Sequence, residues 1–326
     1  MRPLIPFMML MSCSLSYLQG QQVEGVIQDR ETGAAIAFAE IYVEGTLTGT
    51  ISDSAGHFSL NTANFPSRSV TASALGYYSF TFLWEPGDPD KVIRLIPRRY
   101  ELQEVTIGTR SLEKERSENI RLFRREFLGT SPMARRCEIL NESVITFNYG
   151  SDQDTLVGTA MDPILILNRG LGYEITYYMD RFTYERNSGA TSFIGSVFFK
   201  KDLAEGFERS RYERHRRNAY KGSQMHFFRA LWKNELDQTP FHVRDSTDQE
   251  LTGIQIVSTG AQGNKYLHHD GPLDLYYYAT WSRLHFIRDS VSFDESGYFD
   301  PQAISWQGRI GKLRIGDWLP YDYDPD

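Results

Sequence analysis

The sequence predicts a mainly β chain: a small N-terminal β-sandwich, a linker helix, and a larger strand-rich α+β domain. Three observations lead there. Between residues 23 and 97, short alternating apolar and polar runs are broken by turn residues at intervals of about 8–12 positions, the spacing of an all-β sandwich or barrel. The chain holds 19 Tyr and 20 Phe, residues that suit pleated, half-buried surfaces. Beyond residue 137 strand-like runs dominate, with one clearly helical segment among them. The 326 residues suffice for two domains, and 40% hydrophobic with 24% charged residues is a globular mixture. A net charge of −7 leaves no basic footprint, so nucleic acid is not an expected partner.

The chain opens "MRPLIPFMMLMSCSLSYLQGQQVEG". One Arg precedes an apolar run from Leu4 to Leu18, and no other charge appears before Glu24, the pattern of a secretory signal. Pro3 and Pro6 argue against a buried first helix. Cleavage is expected after Gly20, giving a signal peptide of 1–20. The alternative is "LMSC", which resembles a lipoprotein box with Cys13 as the lipidated residue. The expected location is outside the cytoplasm, in the periplasm or at the outer membrane. No later segment approaches the roughly 18 apolar residues of a membrane helix, so no span is expected in the mature chain. Cleavage after Gly20 leaves Cys137 alone, without an intramolecular disulfide. Cys137, in "RRCEIL", is expected to be a small residue near a strand start.

In the first domain, expected over 21–98, the strand candidates are "VEGVIQD", "FAEIYVEG", "GTISD", "GHFSLNT", "SVTASALGYYSFTFLW" and "KVIRLIP". "DSAGHFSL", residues 53–60, places an Asp, a Gly and a His together. Gly56 suits a turn position with φ > 0, and Asp53 can accept hydrogen bonds from the turn backbone. Phe58 and Leu60 then share the core face, leaving His57 and Ser59 outward.

The stretch "GVIQDRETGAAIAFAEIYVEGTLTGTISDSAGHFSL" with "VTASALGYYS" resembles the carboxypeptidase-like regulatory domain. The matching features are the opening Gly-Val-Ile-x-Asp, Thr32-Gly33, Ala39 with Ile41 and Val43, Thr50, Asp53, Gly56, Phe58, and Leu75-Gly76-Tyr77. The resemblance implies a seven-stranded transthyretin-like Greek-key β-sandwich, common at the start of envelope proteins of the Bacteroidota type. It implies no peptidase activity and no zinc site.

"YELQEVTIGT", residues 100–109, is similar to the connector that leads into the plug of outer-membrane receptors. The residues after Thr109 are too few for a plug and a barrel of about 22 strands, so a transport receptor is not expected. The segment 99–130 is expected to be a linker with a helix over 111–129, where Ile120, Phe123 and Phe127 recur at helical spacing and Gly129 ends the run.

The remainder, 131–326, is expected to be a strand-rich α+β domain. "EILNESVITFNY", "DTLVGTAMDPILIL", "GYEITYYMDRFTYE", "SFIGSVFFKK", "TGIQIVS", "DLYYYATWS", "RLHFIRDSVSFDESGYF" and "GRIGKLRIGDW" read as strands, with a hairpin turn at "FDESGYF". "SQMHFFRALWKNEL" reads as a helix capped by Ser223, burying Phe228, Leu231 and Trp232. The order of "FRREFLG", "LGYEITYYM" and "GSQMHFFRAL" resembles the C-terminal region that follows this regulatory domain in other envelope proteins, and brings no activity with it.

Chemistry is sparse at sequence level. No His has Glu three positions later, and HExxH, GxSxG and Walker patterns are absent. His268, His269 and Asp270 in "KYLHHDGPLD" are the candidate metal or catalytic cluster, short of the third and fourth ligands a zinc site needs and otherwise a polar loop. "ERSRYERHRRNAYKG", with Arg211, Arg214, Arg216 and Arg217, is the candidate basic patch for an anionic glycan, lipid headgroup or acidic partner, and otherwise a solvated face. Tyr173, Tyr177, Tyr178 and Tyr276 to Tyr278 with Trp281 are core or, alternatively, an aromatic platform. The acidic tail "GDWLPYDYDPD" is expected to fray. The expected role is non-enzymatic binding or scaffolding in the cell envelope, with no cofactor and with an envelope protein or glycan as partner. The alternatives are a hydrolase or carbohydrate-processing enzyme using His268 to Asp270, and a carbohydrate-binding accessory.

Overall fold

The computed structural model describes residues 22–65, 68–85, 88–98, 110–150, 154–260 and 263–325. The expected export signal, with Gly20 and Cys13, and most of the connector at 100–109 lie outside the described residues. The fold is mainly β. It divides into two units, Met1–Glu44 with Thr48–Arg99, and Gly45–Leu47 with Tyr100–Asp326.

The first unit has seven strands: β1 (Gln22–Asp29), β2 (Glu40–Val43), β3 (Gly49–Ile51), β4 (His57–Asn61), β5 (Ser69–Ser73), β6 (Phe80–Leu83) and β7 (Lys91–Leu95). They form two sheets in the orders β4-β1-β7 and β3-β2-β5-β6. Among the described residues of this unit, β1 and β7 pair in parallel and the other pairs are antiparallel. Strand alternation builds the sandwich core: Val23 and Ile27 of β1, Phe58 and Leu60 of β4, and Ile93 and Leu95 of β7 are buried. His57 and Ser59 point outward. The Asp53 carboxylate accepts the N–H groups of Ala55 at 2.9 Å and His57 at 2.8 Å. Gly56 adopts φ +79°, and a Cβ there would sit 2.6 Å from the Ile27 carbonyl oxygen. "DSAGHFSL" is therefore a strand-turn-strand corner whose Asp and Gly shape backbone.

The second unit opens with α1 (Arg110–Leu128), followed by β8 (Cys137–Ile139), β9 (Ile145–Tyr149), β10 (Thr155–Ala160), β11 (Ile164–Asn168), β12 (Tyr173–Glu185) and β13 (Thr191–Asp202). These strands make one antiparallel sheet in the order β8-β11-β12-β10-β9, with β13 also on β12. The sequence places α1 between the two domains as a linker; its apolar face is packed into the core of this sheet. Phe123 and Phe127 stack at 4.7 Å, and Phe123 meets Phe182 while Phe127 meets Tyr177 edge-on, at 4.9 and 5.0 Å. Tyr173, Tyr177 and Tyr178 are buried, and Tyr173 and Tyr177 belong to this core.

Helices α2 (Gly206–Tyr220) and α3 (Gln224–Lys233) lead into β14 (Phe241–Arg244), β15 (Glu250–Leu251), α4 (Gly253–Ile256), β16 (Val257–Thr259), β17 (Lys265–Leu267), β18 (Leu273–Tyr277), β19 (Thr280–Phe286), β20 (Val291–Phe293), β21 (Ile304–Gln307) and α5 (Gly308–Gly311). Here the sheets run β15-β14-β18-β19-β21 and β16-β17-β20. The Ser223 hydroxyl caps α3 by accepting the His226 N–H at 3.2 Å. Phe227, Phe228 and Leu231 of α3 enter a second apolar core, while Met225, one turn earlier, enters the first. Trp232 is only half-buried.

Three runs that read as strands contain helical turns: "EILNESVITFNY" is broken by a 3₁₀ turn, Glu142–Val144. "TGIQIVS" begins with the helical turn α4, where the Gln255 side chain accepts the Thr252 N–H at 2.8 Å. "GRIGKLRIGDW" holds α5 and a 3₁₀ turn, Ile315–Asp317. Its glycines explain the break: a Cβ on Gly311 would lie 2.4 Å from the Trp306 carbonyl oxygen, and one on Gly316 would lie 2.5 Å from the Ala134 Cα. The acidic tail is not frayed. Leu319 and Tyr323 are buried, and the Arg229 guanidinium donates to the carbonyls of Tyr321 and Tyr323 at 3.0 and 2.9 Å.

Candidate functional site

A cleft of about 520 Å³ opens within the second unit. That is the size of a small-molecule site. One wall comes from the start of β19 and from α5, which contribute Thr280, Trp281, Gly308 and Arg309. The loop after α1 and the 3₁₀ turn contribute Ser131 and Asp317, and the exposed Lys312 also belongs to the lining.

Trp281 keeps 39% of its surface exposed, yet its ring is fixed. The indole N–H donates to the Asp274 Oδ1 at 2.9 Å across the β18–β19 hairpin. The same carboxylate accepts Arg283 Nε at 2.8 Å and Nη2 at 2.6 Å. Those Arg283 hydrogen bonds hold the Asp274 carboxyl below its ordinary range. Gly308, at φ +74°, closes the other edge, because a Cβ there would stand 2.9 Å from the indole Cε3.

The Ser131 part of the lining is tied into the backbone. The Ser131 hydroxyl donates to Asp317 Oδ1 at 2.5 Å and accepts the N–H groups of Met133 at 3.2 Å and Ala134 at 3.0 Å. Burial pushes the Asp317 carboxyl up, against the pull of the Ser131 hydrogen bond. Arg314 lies beside it, its Nε donating to the Glu126 carbonyl at 3.0 Å; burial lowers its pKa. Arg309 spends one donor on the Gly222 carbonyl at 2.9 Å. Lys312 is exposed and makes no ion pair among the described residues.

The other candidate residues lie elsewhere. His268, His269 and Asp270 sit on the loop between β17 and β18. The His268 N–H donates to the Ile256 carbonyl, the His269 Nδ1 lies 3.2 Å from the Gly271 N–H it accepts, and Asp270 is exposed. Among the described residues no three His, Cys, Asp or Glu side chains are placed to hold one metal ion. The basic stretch is helix α2, and its arginines divide. Arg214 and Arg217 are exposed, and Arg211 pairs with Glu208. Arg216 is 2% exposed: it pairs with Asp202 at 2.6 Å and Glu213 at 3.4 Å, donates to the Leu171 and Gly172 carbonyls, and lies 3.9 Å from the Tyr173 ring centre. It is an internal tie rather than part of a surface patch. Cys137 starts β8 with its thiol pushed up to about 12 by burial, an unreactive thiol. Tyr278 is exposed, and Tyr276 and Tyr277 are half-buried.

Sequence reasoning singled out Trp281 but missed Arg309, Lys312, Ser131 and Asp317. Three glycines in "GRIGKLRIGDW", at 308, 311 and 316, are the signal that this run is not a strand but a folded loop.

In the first unit, the residues that carried the resemblance make one network. Asp29 is buried; its Oδ1 accepts the N–H groups of Glu31 and Thr32 at 2.7 Å, and its Oδ2 accepts the Tyr77 hydroxyl at 2.9 Å. Residues 23–107 match the family model described as CarboxypepD_reg-like domain. The N-terminal unit is a carboxypeptidase-regulatory-like domain. Within the regulatory-like domain, Asp29 closes the first turn and Tyr77 ties it to the loop between β5 and β6, which explains why both belong to the motif. The match covers about a quarter of the chain and leaves the cleft-bearing unit outside it. No curated protein matches the chain. Among solved structures, the chain is similar over 68% of its length to a 9R-lipoxygenase from Cyanothece PCC8801, with 9% identity and a TM-score of 0.18. It spans 50% of that enzyme, and a likeness this weak carries no argument.

Proposed function

We propose that the chain is a non-enzymatic binding protein of the cell envelope, in which the carboxypeptidase-regulatory-like sandwich precedes a unit that holds its ligand in the cleft around Trp281. The observation that carries this reading is the lining of the cleft, where a part-exposed Trp281 stands with Arg309 and an exposed Lys312. A hydroxyl has one proton and two lone pairs. Ser131 gives its proton to Asp317 and accepts two backbone N–H groups. These hydrogen bonds set the hydroxyl into the turn that follows α1. The side chains of the lining open to a ligand include Thr130, Trp281, Arg309 and Lys312.

Export is supported by the charge and apolar pattern of residues 1–20. Intact-mass analysis of protein from the producing cells tests it: the expected chain starts at Gln21, or at a lipidated Cys13, in the envelope fraction. An unprocessed chain in the cytosol overturns the location. Turnover of ester, peptide or glycoside substrates that vanishes in Ser131→Ala overturns the non-enzymatic reading. So does stoichiometric zinc in the purified protein that is lost with His269→Ala.

A further inference from the structure

Resting on the reading of the chain as a binding protein, we infer that the cleft takes an acidic saccharide, with a sugar ring against Trp281 and its carboxylate between Arg309 and Lys312. Four observations point there. Trp281 lines the cleft and is 39% exposed overall, its position set by Asp274 and Gly308. Arg283 stands over the ring, 5.7 Å from its centre, and the exposed remainder of a fixed indole is an apolar surface that the C–H face of a sugar ring matches. Arg309 has spent one donor on Gly222, so most of its fork remains for a carboxylate, which a guanidinium binds in bidentate fashion. Lys312 adds a second cation, exposed and without an ion pair among the described residues.

The third observation is charge balance. Asp317 is the acidic residue of the lining, and it is 9% exposed and engaged by Ser131. The open part of the cleft is therefore positive, although the whole chain carries −7. A neutral sugar would use the aromatic face and leave both cations unanswered. A bare anion would use the cations and leave the indole unanswered. The fourth is size: about 520 Å³ accommodates a short saccharide and not a folded partner.

The test is calorimetric titration of the full chain with trigalacturonate, neutral galactotriose, inorganic phosphate and a short poly-glutamate peptide. Trigalacturonate is expected to bind with affinity that falls as salt rises. Lys312→Ala and Trp281→Ala are each expected to weaken it about tenfold, the scale of one lost charge-assisted or stacking contact. Lys312→Ala alters an exposed side chain, so its fold is preserved; circular dichroism and melting curves check both variants. Equal binding of galactotriose, equal binding of phosphate, equal binding of the peptide with Trp281→Ala harmless, or no binding of trigalacturonate each overturns the saccharide assignment. Those outcomes leave the binding-protein reading standing. Turnover of trigalacturonate abolished by Ser131→Ala overturns that reading instead.

Discussion

The indole N–H of Trp281 and the carboxylate of Asp274 are joined by a 2.9 Å hydrogen bond across the β18–β19 hairpin, and Arg283 clamps the same carboxylate through two nitrogens. Asp274 therefore positions Trp281 without lining the cleft. Asp274→Ala is expected to weaken trigalacturonate binding about threefold to tenfold, while stability changes by about 1 kcal/mol or less, as for other partly exposed pairs. Arg283 holds the Asp274 pKa below that of the unfolded chain. The sign follows: its stabilisation is complete at neutral pH and is lost as pH falls below about 4 through the depressed folded value. Melting curves from pH 7 to 3, compared with Asp274→Asn, check this; an identical pH dependence in the two proteins contradicts it.

Gly308 bears on the same ring. It adopts φ +74°, and a Cβ would lie 2.5 Å from the Trp281 carbonyl oxygen. Gly308→Ala is expected to cost about 1–3 kcal/mol from backbone strain alone, and to shift the indole N–H resonance of Trp281. Unchanged stability and an unmoved resonance would show that the edge of the ring is not held there.

Arg216 is expected to behave as core, unlike its neighbours on α2. Arg216→Ala removes a buried cation with its two carbonyl acceptors and its contact with Tyr173, a loss of about 3–5 kcal/mol by analogy with broken buried pairs. Arg214→Ala and Arg217→Ala, at exposed positions, are expected to stay within about 0.5 kcal/mol. Urea denaturation of the three variants decides the matter; equal losses at all three contradict the assignment.

His226 gives a second pH signature. Burial lowers its pKa to about 4, with Lys221 and Arg229 adding to the effect, and its Nδ1 accepts the Gly222 N–H at 3.1 Å. In the unfolded chain the same group titrates near about 6.5. Stability linked to His226 is thus complete above that value and is lost as pH falls from about 6.5 to about 4, on the order of 3 kcal/mol in all. The imidazole proton resonances of His226 are expected to titrate near the lower value, and His226→Gln is expected to flatten that part of the stability profile. Titration near 6.5 contradicts the burial argument.

These features differ in how far the sequence revealed them. The regulatory-like sandwich was legible because its corners are local: Asp29, Asp53 and Gly56 act on backbone within a few residues of themselves. The core face of α1 was legible for the same reason, from the spacing of Ile120, Phe123 and Phe127. The cleft was not legible. Ser131 and Asp317 meet across almost the length of the second unit, and nothing in either neighbourhood announces the partner. "GRIGKLRIGDW" hid Arg309 and Lys312 because alternating apolar residues read as a strand while the glycines admit a tighter path. Arg216 misled in the opposite way: a run of charges reads as surface, and only the fold supplies Asp202 and the carbonyls of Leu171 and Gly172.

The most direct test of ligand binding at this cleft is an amide and indole N–H spectrum of the full chain during titration with trigalacturonate. Saturable shifts concentrated at the Trp281 indole and at the backbone of Arg309 and Lys312 are expected, and their loss in Lys312→Ala. Shifts centred on Arg214 and Arg217 of α2, or a spectrum unmoved at saturating saccharide, would contradict it.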